Sequence, residues 1–117
     1  MKNKPITPKM HSMMDYALSS MLMTVPGCID MNDKAKNTYR TLGSGMLTLN
    51  SLTDVPGAVR PVIPFKTHQK ADVGLLAASV ALTFSKPIWK DKKALAFHLG
   101  FLAMTTTQYL LTDFDAA

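Results

Sequence analysis

The chain has 117 residues, enough for one domain with a core but not for a catalytic domain plus a second module. Apolar residues make up 47% of it and charged residues only 18%, with the apolar ones gathered into four blocks and the charges set between them. The net charge of +5 comes from Lys and Arg in the turns, without aromatic interleaving or a recognition-helix pattern, so nucleic acid is excluded as an expected partner.

In chain order, Thr7-Pro8 predicts a helix start, an N-cap hydroxyl followed by proline at the first helical position. The first helix should run from residue 8 to about 25 and stop at Pro26-Gly27, making it the shortest and least apolar of the four. Asp30 to Asp33 reads as a polar turn, with Asp33 capping a second helix over residues 34 to 53. Asp54-Val-Pro-Gly57 ends that helix, and Pro56, Pro61 and Pro64 make the crossing to the next unit stiff and extended. A third helix is predicted over residues 64 to 85, a turn over 86 to 90, and a fourth helix over 92 to 112 capped by Asp91.

These elements are one two-helix unit written twice. His11-Ser-Met-Met-Asp15 returns as His68-Gln-Lys-Ala-Asp72, and the units close at Leu52-Thr53-Asp54 and Leu111-Thr112-Asp113. The first unit covers residues 7 to 57 and the second 64 to 115, within a single membrane domain of residues 1 to 117. All eight acids are Asp, and only Asp15 and Asp72 fall inside helical runs.

Twenty helical residues reach about 30 Å, the thickness of a bilayer core, so the blocks read as four membrane spans. The mean hydropathy of +0.07 is low for such a protein, and a soluble four-helix bundle is the rival. That rival predicts charge at mid-helix on the outer surface, which these helices lack. Two spans per unit bring both units in from the same side, related by a pseudo-twofold axis along the membrane normal. Basic residues do not orient the bundle. Lys2, Lys4, Lys9, Arg60, Lys66 and Lys70 lie on the terminal face, and Lys34, Lys36, Arg40, Lys86, Lys90, Lys92 and Lys93 on the other. The basic start and Val25-Pro-Gly-Cys28 have the outline of a lipoprotein signal, but His11 and Asp15 interrupt its apolar run, so it reads as a permanent helix. Small residues four apart (Gly74 with Ala78, Ala77 with Ala81, Ala96 with Gly100) and Gly43-Ser44-Gly45 predict ordinary close helix packing.

A two-span unit whose turn carries Ser, Pro and Trp resembles the SPW repeat of small bacterial integral membrane proteins. The second unit has Ser85-Lys-Pro87-Ile-Trp89, a stretched version, whereas the first has only Val25-Pro26-Gly27. The similarity covers most of residues 10 to 113. It implies an all-α transmembrane bundle in a bacterial inner membrane and transfers no activity.

The His/Asp pairs lie outside that signature. A spacing of four puts each pair on one helix face, and adjoining first and third helices would bring His11, Asp15, His68 and Asp72 together inside one leaflet. Three readings stay open. The cluster can pin the two repeats together, as paired polar groups do in spans. It can hold a metal, Zn or Fe, since two imidazoles and two carboxylates suit either. It can form a proton or substrate path, extended by His98 and Gln108.

The single Cys28 excludes an internal disulfide and thiolate chemistry from a CxxC pair. HExxH, CxxCH and Glu-x-x-His patterns are absent, and Ser44 lacks the flanks of a nucleophile elbow. The expected function is therefore a structural or accessory membrane component whose cluster joins its repeats. An oligomeric proton-coupled carrier or redox subunit is the alternative. Its partners are the lipid bilayer and either further copies or a larger membrane complex.

Overall fold

The computed structural model describes residues 4–116 and is all-α among them; Lys2 lies outside. Five helices follow one another: α1 Pro8–Cys28, α2 Asp33–Leu52, α3 Phe65–Leu82, α4 Lys86–Trp89 and α5 Lys92–Leu111. Thr7 caps α1 as expected, its hydroxyl accepting the Met10 N–H at 3.2 Å, with Pro8 following.

The far end of α1 departs from expectation. The helix runs through Pro26 to Cys28 and is the longest at 21 residues, while α3 is shorter at 18. The missing proline N–H falls in the last turns, and the chain closes again through Ile29 N–H on Val25 O at 3.1 Å and Met31 N–H on Pro26 O at 3.3 Å. Asp30, at φ 57, then reverses the chain.

The cap of α2 is Asn32 and not Asp33. Asn32 Oδ1 accepts the Ala35 N–H at 2.9 Å, and Asp33 enters the first turn, where its charge complements the helix dipole. Asp91 caps α5 as expected, accepting from Lys93 and Ala94 N–H at 3.0 and 3.3 Å. Asn32 decides the matter because it also donates, with its Nδ2 on Asp91 Oδ2 at 2.9 Å and on Pro87 O at 2.7 Å. The two caps are thus bonded to each other. The predicted turn at 86–90 contains the single-turn helix α4.

The opposite end of the bundle is closed by two short parallel bridges, Ile6 with Thr112 and Ile63 with Thr53. Ile6 N–H donates to Leu111 O at 3.1 Å and Asp113 N–H to Ile6 O at 2.9 Å. In the other half, Ile63 N–H donates to Leu52 O at 2.8 Å and Asp54 N–H to Ile63 O at 2.7 Å. The start of each unit is therefore bonded to the end of the other by the same pair of bonds, the exchange that a twofold relation requires.

Packing is closest where α1 meets α2. A Cβ added at Gly43 would lie 2.8 Å from Ser19 O and 2.9 Å from Met23 Cγ, so only glycine fits there. An apolar core formed by Leu22, Met31, Tyr39, Ile88 and Phe101 fills the end near α4. A smaller apolar cluster of Val55, Phe65 and Phe114 closes the opposite end, and between the two lie buried polar side chains, among them His11, Ser12, Asp15, Asn50, His68 and Gln108. On α3 and α5 the mid-helix surface is apolar, with Val73, Val80, Leu99 and Met104 about half exposed, whereas α1 and α2 expose the uncharged polar Ser20, Thr24, Thr41, Ser44 and Thr48. The small residues Gly74, Ala77, Ala78, Ala81, Ala96 and Gly100 also face outward, which corrects the expectation that they pack within the bundle. Taken singly, no helix among the described residues is long and apolar enough to cross a membrane.

Candidate metal centre

α1 and α3 each present a histidine and, one turn on, an aspartate, and the bridges set the two helices at the same level. The four side chains form a closed ring. His68 Nε2 lies 2.9 Å from Asp15 Oδ2 and 3.3 Å from Asp72 Oδ1; His11 Nε2 lies 3.1 Å from Asp72 Oδ2 and 3.3 Å from Asp15 Oδ2. One donor atom from each residue falls within 4.8 Å of all the others. Both histidines and Asp15 are buried, and Asp72 is partly open, its side chain 14% exposed.

The outer nitrogens of both imidazoles are fixed by threonine. His11 Nδ1 is 2.8 Å from Thr112 Oγ1, and His68 Nδ1 is 2.7 Å from Thr53 Oγ1. Each hydroxyl has one hydrogen and spends it on a carbonyl four residues back: Thr112 on Gln108 O at 2.5 Å, Thr53 on Leu49 O at 2.7 Å. The hydroxyl must then accept from the ring, so Nδ1 carries the hydrogen in both histidines. Both Nε2 atoms are left pointing at carboxylates. Each pairing crosses from one half to the other, so the threonines that end the units orient the histidines that begin them.

With Nδ1–H committed, the ring of two carboxylates requires two positive charges, either a second proton on each imidazole or one divalent cation between them. His68 Nε2 makes a hydrogen bond to Asp15, whereas His11 Nε2, fully buried, makes none of good geometry and faces two carboxylates at 3.1 and 3.3 Å. That position suits a proton shared between the carboxylates or a lone pair given to a metal. A tetrahedral ion with bonds of about 2.0–2.1 Å holds its donors about 3.3–3.4 Å apart, so the four donor atoms, which here lie within 4.8 Å of one another, would draw together around it.

Further contacts hold the ring in place. Gln108 Nε2 donates to Asp15 Oδ1 at 2.7 Å and reaches His11 O at 3.3 Å. Asn50 Nδ2 donates to Ser12 O at 2.9 Å, tying α2 to α1 one residue from His11. Phe65 and Phe114 cover the end of the site, their ring centroids 5.5 and 5.3 Å from that of His11.

The sequence expectation named His11, Asp15, His68 and Asp72, and the structure brings all four together. Gln108 joins them. His98 does not: its Nε2–H donates to Ser79 O at 2.7 Å, and its Nδ1 accepts from Tyr39 O–H at 2.6 Å. Both ring nitrogens are thereby satisfied, ten residues and about 15 Å along α5 from Gln108. Thr53 and Thr112 were not picked out as site residues; the repeated Leu-Thr-Asp endings were the signal, but their aspartates lie outside the ring. Comparisons with family models, with curated proteins and with solved structures found no match.

Proposed function

We propose that this chain is a small integral membrane protein, similar to the SPW-repeat proteins, whose two tandem hairpins are clasped near one interface by a divalent metal, Zn or Fe, at His11, Asp15, His68 and Asp72. The observation that carries the metal reading is the buried, unpartnered Nε2 of His11, aimed into a ring that already holds a second imidazole and two carboxylates. Nitrogen and oxygen donors in this ratio suit either metal, and the Nδ1–H to threonine bonds are the orienting contacts that such sites use. The ion would cancel both carboxylate charges and join α1 to α3. The role is structural or accessory: the ring cross-links the halves, and the two hydroxyls against it, Thr53 and Thr112, are held by backbone carbonyls as orienting contacts.

The membrane reading is supported by where polarity lies. Hydropathy averaged around a helix includes the His, Asp, Asn, Gln and Thr side chains that face inward here, whereas lipid would meet only the outer faces. Those are free of charge over residues 16–29, 41–53, 73–85 and 94–112. Helices α1, α2, α3 and α5, of 18 to 21 residues, would measure roughly 27–32 Å. In this orientation the twofold relation runs along the membrane normal, and both termini share one side, in a bacterial inner membrane. The soluble bundle would instead expose Val73, Val80, Leu99 and Met104 to water, and the carrier reading loses His98, already satisfied by Tyr39 and Ser79.

The test is metal analysis of detergent-purified protein, wild type beside His11→Ala/His68→Ala, with alkaline extraction of the membranes it came from. Near-stoichiometric metal in the wild type, lost in a folded variant that stays with the membrane pellet, is the expected result. Metal-free wild type would remove the ion from the proposal, and release into the alkaline supernatant would remove the membrane.

A further inference from the structure

Among the positions at which the two halves differ beside the ring, one faces its carboxylates directly. Four residues before the closing threonine stands Gln108 in the second half and Leu49 in the first. The consequence appears in the two grooves that the twofold relation pairs. Between α1 and α5 a groove of about 480 Å³, walled by Met14, Leu18 and Met104, ends on Gln108, whose amide covers Asp15; none of the four ring side chains lines it. Between α2 and α3 the equivalent crevice, about 320 Å³ and walled by Leu42, Met46, Leu49 and Leu75, continues inward to Asp15, His68 and Asp72. Leu49 cannot donate a hydrogen bond, so Asp72 accepts none of good geometry among the described residues and stands open on this side. The centre is sealed by Gln108 on one flank and accessible from the other.

We propose that the α2–α3 crevice is a binding site for a neutral, mostly apolar molecule carrying one nitrogen or oxygen donor at its tip, which bonds the metal beside Asp72. The inference rests on the metal reading above. Neutrality follows from charge: a divalent ion with two carboxylates is already balanced, and an anion would enter an apolar crevice uncompensated. The volume is at the small end of the about 300–1,000 Å³ of ordinary ligand pockets. The opening lies on the lateral face, so entry would be from the lipid side.

The test loads purified protein with Co(II) and follows its visible absorption while 4-phenylimidazole, a neutral apolar molecule with one donor nitrogen, is added. Wild type should show a saturable fall in intensity as a fifth ligand binds, with one probe per protein. Two variants fill the crevice differently. Gly45→Leu adds a side chain where a Cβ meets nothing within 4 Å, away from the ring; Leu49→Gln copies the seal of the other half. Both should take up Co(II) yet bind the probe about tenfold or more weakly. An unresponsive wild type, or a response equally strong in both variants, overturns the inference. Failure of wild type to bind Co(II), seen before any probe is added, overturns the metal reading itself and the inference with it.

Discussion

Thr112 accepts a hydrogen bond from His11 across 101 residues of chain, at 2.8 Å, and so decides which nitrogen of that imidazole faces the centre. The hydroxyl can play this part only because its own hydrogen is bound to Gln108 O. Thr112→Val keeps the shape and removes the acceptor; Thr112→Ser keeps both. Metal affinity should fall about 10–100-fold in the valine variant, as for other orienting contacts, and stay near wild type in the serine variant. Competition with a chelator of known affinity measures it, and equal affinities in the two variants would show that the hydroxyl does not orient the ring. Thr53→Val should behave likewise at His68.

The two aspartates of the ring are unequally bonded. Asp15 is bonded to His68 and Gln108, while Asp72 has only the longer contacts of the ring. Asp15→Asn breaks a buried paired network and should cost roughly 3–5 kcal/mol, whereas Asp72→Asn, partly open, should cost about 1 kcal/mol. Both should abolish stoichiometric metal. Thermal unfolding in detergent with chelator present separates them, and similar melting temperatures would count against the asymmetry.

Gly43 and Gly45 sit two residues apart on α2 with opposite surroundings. Gly43→Ala places a methyl against the Ser19 carbonyl oxygen, a backbone atom that cannot swing aside, and should destabilise by about 1–3 kcal/mol. Gly45→Ala meets open space and should be neutral or stabilising by up to about 1 kcal/mol through helix propensity. Melting temperatures in the same detergent would show the order, and a Gly43→Ala protein as stable as wild type would mean that α1 and α2 do not meet as described.

At the other end, the Asn32 amide and then its backbone N–H, with Ala94 N–H behind them, hold the Asp91 carboxyl below its ordinary 3.8. A carboxyl whose folded value is depressed stabilises the fold above the unfolded value and loses that contribution as pH falls through the folded one. Stability should therefore decline as pH drops below about 3.8. Asp91→Asn should flatten that decline, and Asp91→Ala should cost about 1 kcal/mol at neutral pH through loss of the cap. Melting curves from neutral pH downward decide it, an unchanged slope in the Asn variant being the contrary result.

Cys28, the chain's single cysteine, is exposed at the end of α1 remote from both termini. In sealed vesicles an impermeant maleimide should reach it from the side opposite to tags placed at the termini. Labelling from the same side as the tags would refute a spanning α1.

Residue order was enough for the repetition of the two units and for the features that close within one turn of helix: the helix starts at Thr7-Pro8 and Asp91 and the His/Asp pairs at a spacing of four. Their geometry needs only neighbouring residues, so it is legible in order and spacing. Asn32 displaced Asp33 as a cap because it also had Asp91 and Pro87 to bond, and Pro26 stayed inside α1 because later carbonyls and N–H groups closed the turn around it. Thr53 and Thr112 became partners of the histidines, Gln108 and Leu49 became seal and opening, and the small residues turned outward only when the two halves met. Tertiary structure decided these because a hydrogen-bonding group is assigned by what faces it, and here the facing groups are as much as 101 residues apart.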